Sequence, residues 1–370
     1  INGINVTSFS LVNNSKVRNC GNEAGENGLQ FADLLGTSTI SGAAFSNNFN
    51  SAIEVVNTAA AAGTLNISGS SFTGNGVATH GSALVHYSGA GAANMTANVQ
   101  SSSFNASNSY GYFTDTTGTG HVTSTINNCS FGTVAPNAIA IQYANAAGGQ
   151  IDFVNTNNTI VGGNAFNGTI FMVGFSETGT TTGTAHLIGT FDSNTIGTTG
   201  VAGSGCTNGC SGIGILPAGA GAMNLTITNN QIRQVSAQGI NLSSSAGTSG
   251  QITLHVKGNT LAEPQPGFSS ALRALFFTFG NSGGASPTTC AEIGGTAAAD
   301  KNTVSGSWQA GTFVRIANQN NTGTTRFPGY AGLPADQTAL QTFVEGNNNG
   351  ITGATVITPG TGINGGAPCP

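Results

Sequence analysis

Charge is what this sequence has least of. Lysine and arginine number 8 and aspartate and glutamate 13 among 370 residues, so charged side chains make up 6% of the chain, against roughly a quarter in ordinary soluble domains. The basic residues Lys16, Arg18, Arg233, Lys257, Arg273, Lys301, Arg315 and Arg326 are dispersed and the net charge is −5. That excludes a continuous phosphate track, and with it a nucleic-acid partner. Long apolar runs are also missing. None approaches the roughly eighteen residues a membrane-spanning helix needs, and the greasiest stretch, Leu272 to Phe279, has the length of a buried strand. Scarce charge with modest hydrophobicity does not mean disorder here. Disordered chains carry high net charge and few β-branched residues, whereas Thr, Val, Ile and Phe are plentiful in this one and are patterned.

The pattern is a repeat. A large apolar residue recurs with another five or six positions later: Val6/Leu11, Ile40/Phe45, Ile67/Phe72, Val99/Phe104, Ile126/Phe131, Val154/Ile160, Phe191/Ile196, Ile227/Ile232 and Val256/Leu261. The second members are 34, 27, 32, 27, 29, 36, 36 and 29 residues apart, a period that marks stacked supersecondary units. Each unit has a short alternating lead-in such as Thr64-Leu65-Asn66-Ile67-Ser68, a small polar corner, the apolar anchor, and a second alternating run such as Ala138-Ile139-Ala140-Ile141-Gln142. Period-two alternation predicts strands with one buried face. Glycine-rich loops such as Gly89-Ala90-Gly91 close the units, and no repeat has room for a crossover helix. Successive strands must then stack directly, coil upon coil.

The corner position two residues before the anchor is Asn158, Asn194, Asn230 and Asn259 in four units, Ser70, Ser102 and Cys129 in three, and Ala43 in one. Coils lie about 4.8 Å apart, so aligned asparagines can hydrogen-bond into an internal ladder. Asparagine also tolerates the left-handed backbone of a tight corner. A tenth unit repeats the corner at Asn302-Thr303-Val304 and continues through Thr312–Ile316.

On these corners and their trailing strands the chain resembles the right-handed parallel β-helix repeat proteins of very large secreted or surface-exposed bacterial proteins. The resemblance implies an all-β solenoid of about ten coils: repeats over 1–304, then a last strand and a C-terminal capping segment over 305–370. Arg326-Phe327-Pro328-Gly329-Tyr330 and Phe343-Val344-Glu345-Gly346-Asn347 look like the closing segment of such proteins. The scaffold hosts enzymes, spikes, passengers and filament subunits alike, so it carries function poorly.

Six cysteines remain. The spacing of Cys206 and Cys210 suits a small local disulfide, and a Cys290–Cys369 bridge would pin the tail to the last coils. Cys129 occupies a corner and reads as a buried free thiol; Cys20 has no evident mate. Zinc at Cys206/Cys210 would need two further ligands nearby, which the sequence does not supply. Disulfides point to an oxidising, extracellular or cell-surface location.

Hydrolysis on such a scaffold needs two facing carboxylates. The candidates Glu54, Asp115, Asp152, Glu177 and Asp192 are not expected to fall in one column, and neither an acidic calcium cluster nor pectin-hydrolase signatures occur. His121 and His186 occupy matching positions separated by a coil with Gln150, too far apart to share a metal, while His80 and His86 are expected to solvate a surface. The threonine run Thr178–Thr184 suggests ice binding, but it lies in a loop rather than in the flat column such binding requires. No catalytic residue, metal or cofactor is assigned. The reading is an extracellular structural or adhesive solenoid. The alternatives are a carbohydrate-active enzyme or carbohydrate-binding spike, and a head-to-tail filament subunit. Partners expected are another copy of the chain, an upstream part of the same protein that covers the first coil, or surface glycans.

Overall fold

A computed structural model describes residues 1–370 apart from 24, 59–61, 76–82, 106–109, 133–138, 147, 162–170, 180–185, 208, 268–272, 281–283, 309–313, 319–322, 335, 352, 354 and 358–361. Every strand pairing among the described residues is parallel and joins one coil to the next, so the chain is a parallel β-helix. Each coil turns through three faces. In one coil these are Tyr110–Thr116 on the first face, His121–Asn127 on the second and Ser130–Gly132 on the third. Among the described residues the third face is a sheet of ten strands, so ten coils there carry all three faces. At about 4.8 Å each they make a rod of about 50 Å.

The anchors form the third face's inner column. Phe45, Phe72, Phe104 and Phe131 stack with ring centroids 4.9, 4.8 and 4.7 Å apart, so the aromatic spacing is the coil rise itself. Ile160, Ile196, Ile232, Leu261 and Val304 continue the column. All are buried, and each such side chain contributes about 1.5–3 kcal/mol relative to exposure. The glycine-rich loops have a steric cause. Where the chain turns from first to second face, a Cβ on Gly120 would run into the Ala93 carbonyl and one on Gly149 into that of Gly120.

Two expectations about the repeat need correction. In the first coil the anchor is Val17, in register with Phe45, not Leu11. Leu11 pairs with Ile40 on the second face and Val6 with Leu34 on the first. The Val6/Leu11 pair thus straddles a different corner. In the sixth coil the inner lead-in position belongs to Asn155, in register with Ile126 and Phe191, while Val154 faces outward and is 43% exposed. A polar residue can occupy this inner site because the Tyr143 hydroxyl donates to Asn155 Oδ1 at 2.9 Å. Ser124 completes the buried cluster, 2.9 Å from the Tyr112 hydroxyl and 3.2 Å from that of Tyr143.

Beyond Val304 the solenoid continues. Val314–Asn318 and Thr324–Arg326 extend the first and second faces, and Thr355–Ile357 and Ile363–Asn364 pair onto them. Between these pairs lies helix α1 (Gln337–Gly346), started by Asp336, whose carboxylate accepts from the Ala339 N–H at 2.8 Å. Leu340 and Val344 are its buried side chains. Cys206 is bonded to Cys210 and Cys290 to Cys369. Cys290 lies between Thr253 and Arg326 on the outside of the second face, so the last residues lie along the side of the rod.

Candidate functional site

The corner asparagines form a one-directional chain. Nδ2 of Asn158 donates to Oδ1 of Asn194 at 2.9 Å, Asn194 to Asn230 at 3.1 Å, Asn230 to Asn259 at 2.9 Å and Asn259 to Asn302 at 2.9 Å. A further rung, Asn348, accepts from Asn302 at 2.8 Å; the intervening helix hid it from the repeat pattern. Oδ1 of each of Asn158, Asn194, Asn230, Asn259 and Asn302 also accepts a backbone N–H from the coil before, beginning with Cys129 N–H to Asn158. The second Nδ2 hydrogen reaches a carbonyl of the preceding coil, such as Phe191 for Asn230. These side chains are buried, and their hydrogen bonds are internal to the protein.

The left-handed backbone sits one residue earlier than expected. Asn157, Ser193, Asn229 and Gly258 have φ of 57°, 57°, 55° and 66°, while the ladder residues that follow them do not. One residue makes the bend and the next fills the space beneath it. A second ladder, not anticipated, occupies the other end of the third face in the early coils. Asn48 Nδ2 donates to Asn75 Oδ1 at 2.6 Å, and Asn48 Oδ1 accepts from the Cys20 N–H at 3.1 Å. Cys20 thus heads an asparagine column. Cys129 is a buried free thiol, its pKa pushed up to about 11 by desolvation.

The outside of the first face gathers ionisable groups that the sequence reading left apart. His86 pairs in register with Glu54 on one side and Phe113 on the other. Its Nδ1 lies 3.5 Å from Glu54 Oε1 and its Nε2 3.2 Å from Asp115 Oδ1. It does not merely solvate a surface: its side chain is 20% exposed and stacks on Phe113 with centroids 4.9 Å apart, and Phe113 stacks in turn on Tyr110 at 4.8 Å. Desolvation opposes its charge, but the hydrogen bonds and fields of Asp115 and Glu54 outweigh that and raise its pKa to about 9. Glu54 is held below its ordinary value, first by the hydrogen bond to His86. The imidazolium fills the space between the carboxylates that a substrate and water would need, so the trio is an ion clamp joining three coils.

The second face is the most regular surface of the molecule. Ala62–Ser68, Asn94–Gln100, His121–Asn127, Gln150–Thr156, His186–Asp192 and Ala222–Thr228 are each seven residues long and pair end to end without a bulge. Thr64, Thr96 and Thr123 stand in one outward column, continued backwards by Thr37. Asn66, Asn98 and Thr125 stand in the next, with Asn98 Nδ2 donating to Asn66 Oδ1 at 2.9 Å. A flat threonine column therefore exists, in the lead-in strands rather than in the loop around Thr178, most of which lies outside the described residues. His121, Gln150 and His186 occupy successive coils, and His121 Nε2 lies 2.8 Å from Asp152. His80 falls outside the described residues.

The other two candidate carboxylates stand apart. Asp192 accepts from Thr228, Asn229 and Ser193. Glu177 is buried at the corner between first and second faces, with desolvation raising its pKa to about 7 against the opposing Gly179 N–H bond. No group of three or more His, Cys, Asp or Glu among the described residues is arranged to hold a metal, and none of the helices there is long and apolar enough to cross a membrane. Comparison with family models, with curated proteins and with solved structures finds no match for this chain.

Proposed function

We propose that this chain is an extracellular β-solenoid serving as a structural or adhesive element, with the second face as its contact surface. One observation carries the reading: six seven-residue strands pair in unbroken register, and the first three present columns of short hydroxyl and amide side chains, Thr64/Thr96/Thr123 and Asn66/Asn98/Thr125, before Asp152, Val154 and Ile188 interrupt them. The six strands span about 25 Å along the rod and about 20 Å across. Such a surface is matched to another periodic, hydrogen-bonding surface rather than to a small molecule in a cleft. The disulfides support an oxidising location, and the likeness to large secreted and surface-exposed repeat proteins supports the same placement.

The test is retention of protein-coated beads on cellulose, chitin and agarose under flow. Wild-type protein should be held by at least one of them. T64E/T96E/T123E, which places three carboxylates in one outward column, should be released while keeping its circular dichroism spectrum. Equal retention of the variant removes the second face from the proposal, and no retention of the wild type removes adhesion to these polysaccharides.

A further inference from the structure

The first face has a second polar cluster at the other end of the rod. Asn241, Phe276 and Arg315 stand in register on three successive coils, on the outward side of the sheet. The Arg315 guanidinium carbon lies 4.8 Å from the Phe276 ring centroid and that of Arg273 lies 5.3 Å from it. Two of the chain's 8 basic residues thus share one ring. Neither has a carboxylate within ion-pair distance among the described residues. Like charges brought together without a counter-ion are costly, and burial together with the field of Arg273 lowers the Arg315 pKa. Two polar atoms here are enclosed and unpartnered among the described residues: Arg273 Nε, a donor, and Asn241 Oδ1, an acceptor.

We propose that Asn241, Arg273, Phe276 and Arg315 form a binding site for a sugar ring bearing an anionic group, as part of an acidic polysaccharide. Each component of the site calls for a component of that ligand. The paired guanidiniums call for a carboxylate or sulfate, which planar forks bind through charge-assisted hydrogen bonds. Asn241 Oδ1 calls for a donor, which the anionic group lacks and an adjacent sugar hydroxyl supplies. Phe276 offers an apolar platform for the C–H face of the ring. An acidic peptide would be held best by strand addition to a sheet edge, and these residues lie on a sheet face.

The inference rests on the extracellular, glycan-contacting reading, but it uses a different face of the rod. T64E/T96E/T123E should therefore bind acidic polysaccharide normally, which separates failure of one idea from failure of the other. The experiment is titration of the full chain with alginate oligomers and their carboxyl-reduced counterparts, and with dextran sulfate and dextran. The charged member of at least one pair should bind, its partner should not, and affinity should fall with added salt. R273Q/R315Q, which loses the charge-assisted contacts, and F276A, which loses the apolar platform, should each weaken binding about tenfold or more while keeping the circular dichroism spectrum. Arg18→Gln, in the first coil, should have no effect. Preference for alginate assigns the carboxylate and preference for dextran sulfate the sulfate. Equal binding of neutral and charged polymers, equal binding by R273Q/R315Q, or tighter binding of single-stranded DNA would each overturn the proposal.

Discussion

Replacing Asn230 by leucine keeps the heavy-atom count and branching of a fully buried side chain and puts bulkier methyl groups in place of its polar atoms. Two groups then lose their partners. The backbone N–H of Asn194, which donates to Asn230 Oδ1 at 2.9 Å, is left without an acceptor, and the Phe191 carbonyl loses the Nδ2 bond at 2.8 Å. The neighbouring side chains suffer less. Asn194 Nδ2 still reaches the carbonyls of Asn155 and Asp192, and Asn259 Oδ1 still accepts the backbone N–H of residue 230. One orphaned buried donor and one weakened acceptor together cost about 2–4 kcal/mol. Serine should cost roughly half as much. In this same column Ser70 and Ser102 each accept a backbone N–H from the preceding coil at 3.2 Å. A solenoid need not unfold in one step, so hydrogen exchange at the Asn194 amide is the direct assay, with melting temperature beside it. Protection should fall in the order wild type, N230S, N230L. Unchanged protection at Asn194 in N230L would refute the reasoning.

The His86 clamp predicts a pH dependence. Its folded pKa of about 9 exceeds the ordinary 6.5, so its contribution is full below pH 6.5 and lost as pH rises through 9, at most about 3 kcal/mol. Melting curves of wild type and H86Q should therefore converge across that interval, and parallel curves would remove the clamp. Gly189→Ala should destabilise by about 1–3 kcal/mol through overpacking. The new Cβ meets the Phe153 ring, which stacks on both Tyr143 at 4.3 Å and Phe175 at 4.9 Å. Near-ultraviolet circular dichroism should report the disturbed stack, and an unchanged spectrum and melting temperature would contradict that packing.

The anchor column was legible because a buried position repeated along a rod must be apolar in nearly every coil, and spacing alone then fixes register from Phe45 onward. Val17 was missed because the first coil places Val6 and Leu11 across another corner at the same separation. Asn155 was missed because its partner, Tyr143, belongs to another strand of the same coil, and no local pattern announces a buried tyrosine hydroxyl. The second ladder left a trace: Phe45 and Phe72 are each followed by asparagine three residues later, at Asn48 and Asn75. The ion clamp left none within any one coil. Glu54 and His86 are 32 positions apart and Asp115 a further 29, and they meet only once each loop length is absorbed into the stacking. The threonine column could have been read from four successive lead-in strands, in which Thr37, Thr64, Thr96 and Thr123 each stand three residues ahead of the inner Ile40, Ile67, Val99 and Ile126.

The asparagine chain has a direction, and a directed chain has a first and a last member of different kinds. Interior rungs are interchangeable, since each takes its acceptors and donors from identical neighbours. A whole coil could be duplicated between Asn194 and Asn230 without any other rung detecting it. Asn348 is different: its amide is spent on the Val344 carbonyl at 2.7 Å, in the last turn of helix α1, and on Ile293. The exposed carbonyls of that helix end attract donors, so the helix serves as a terminator for a signal passed from coil to coil. Adding whole coils upstream of the helix would thus leave the bonds of the terminator unchanged, whereas loss of the helix would strip Asn348 of its Val344 acceptor.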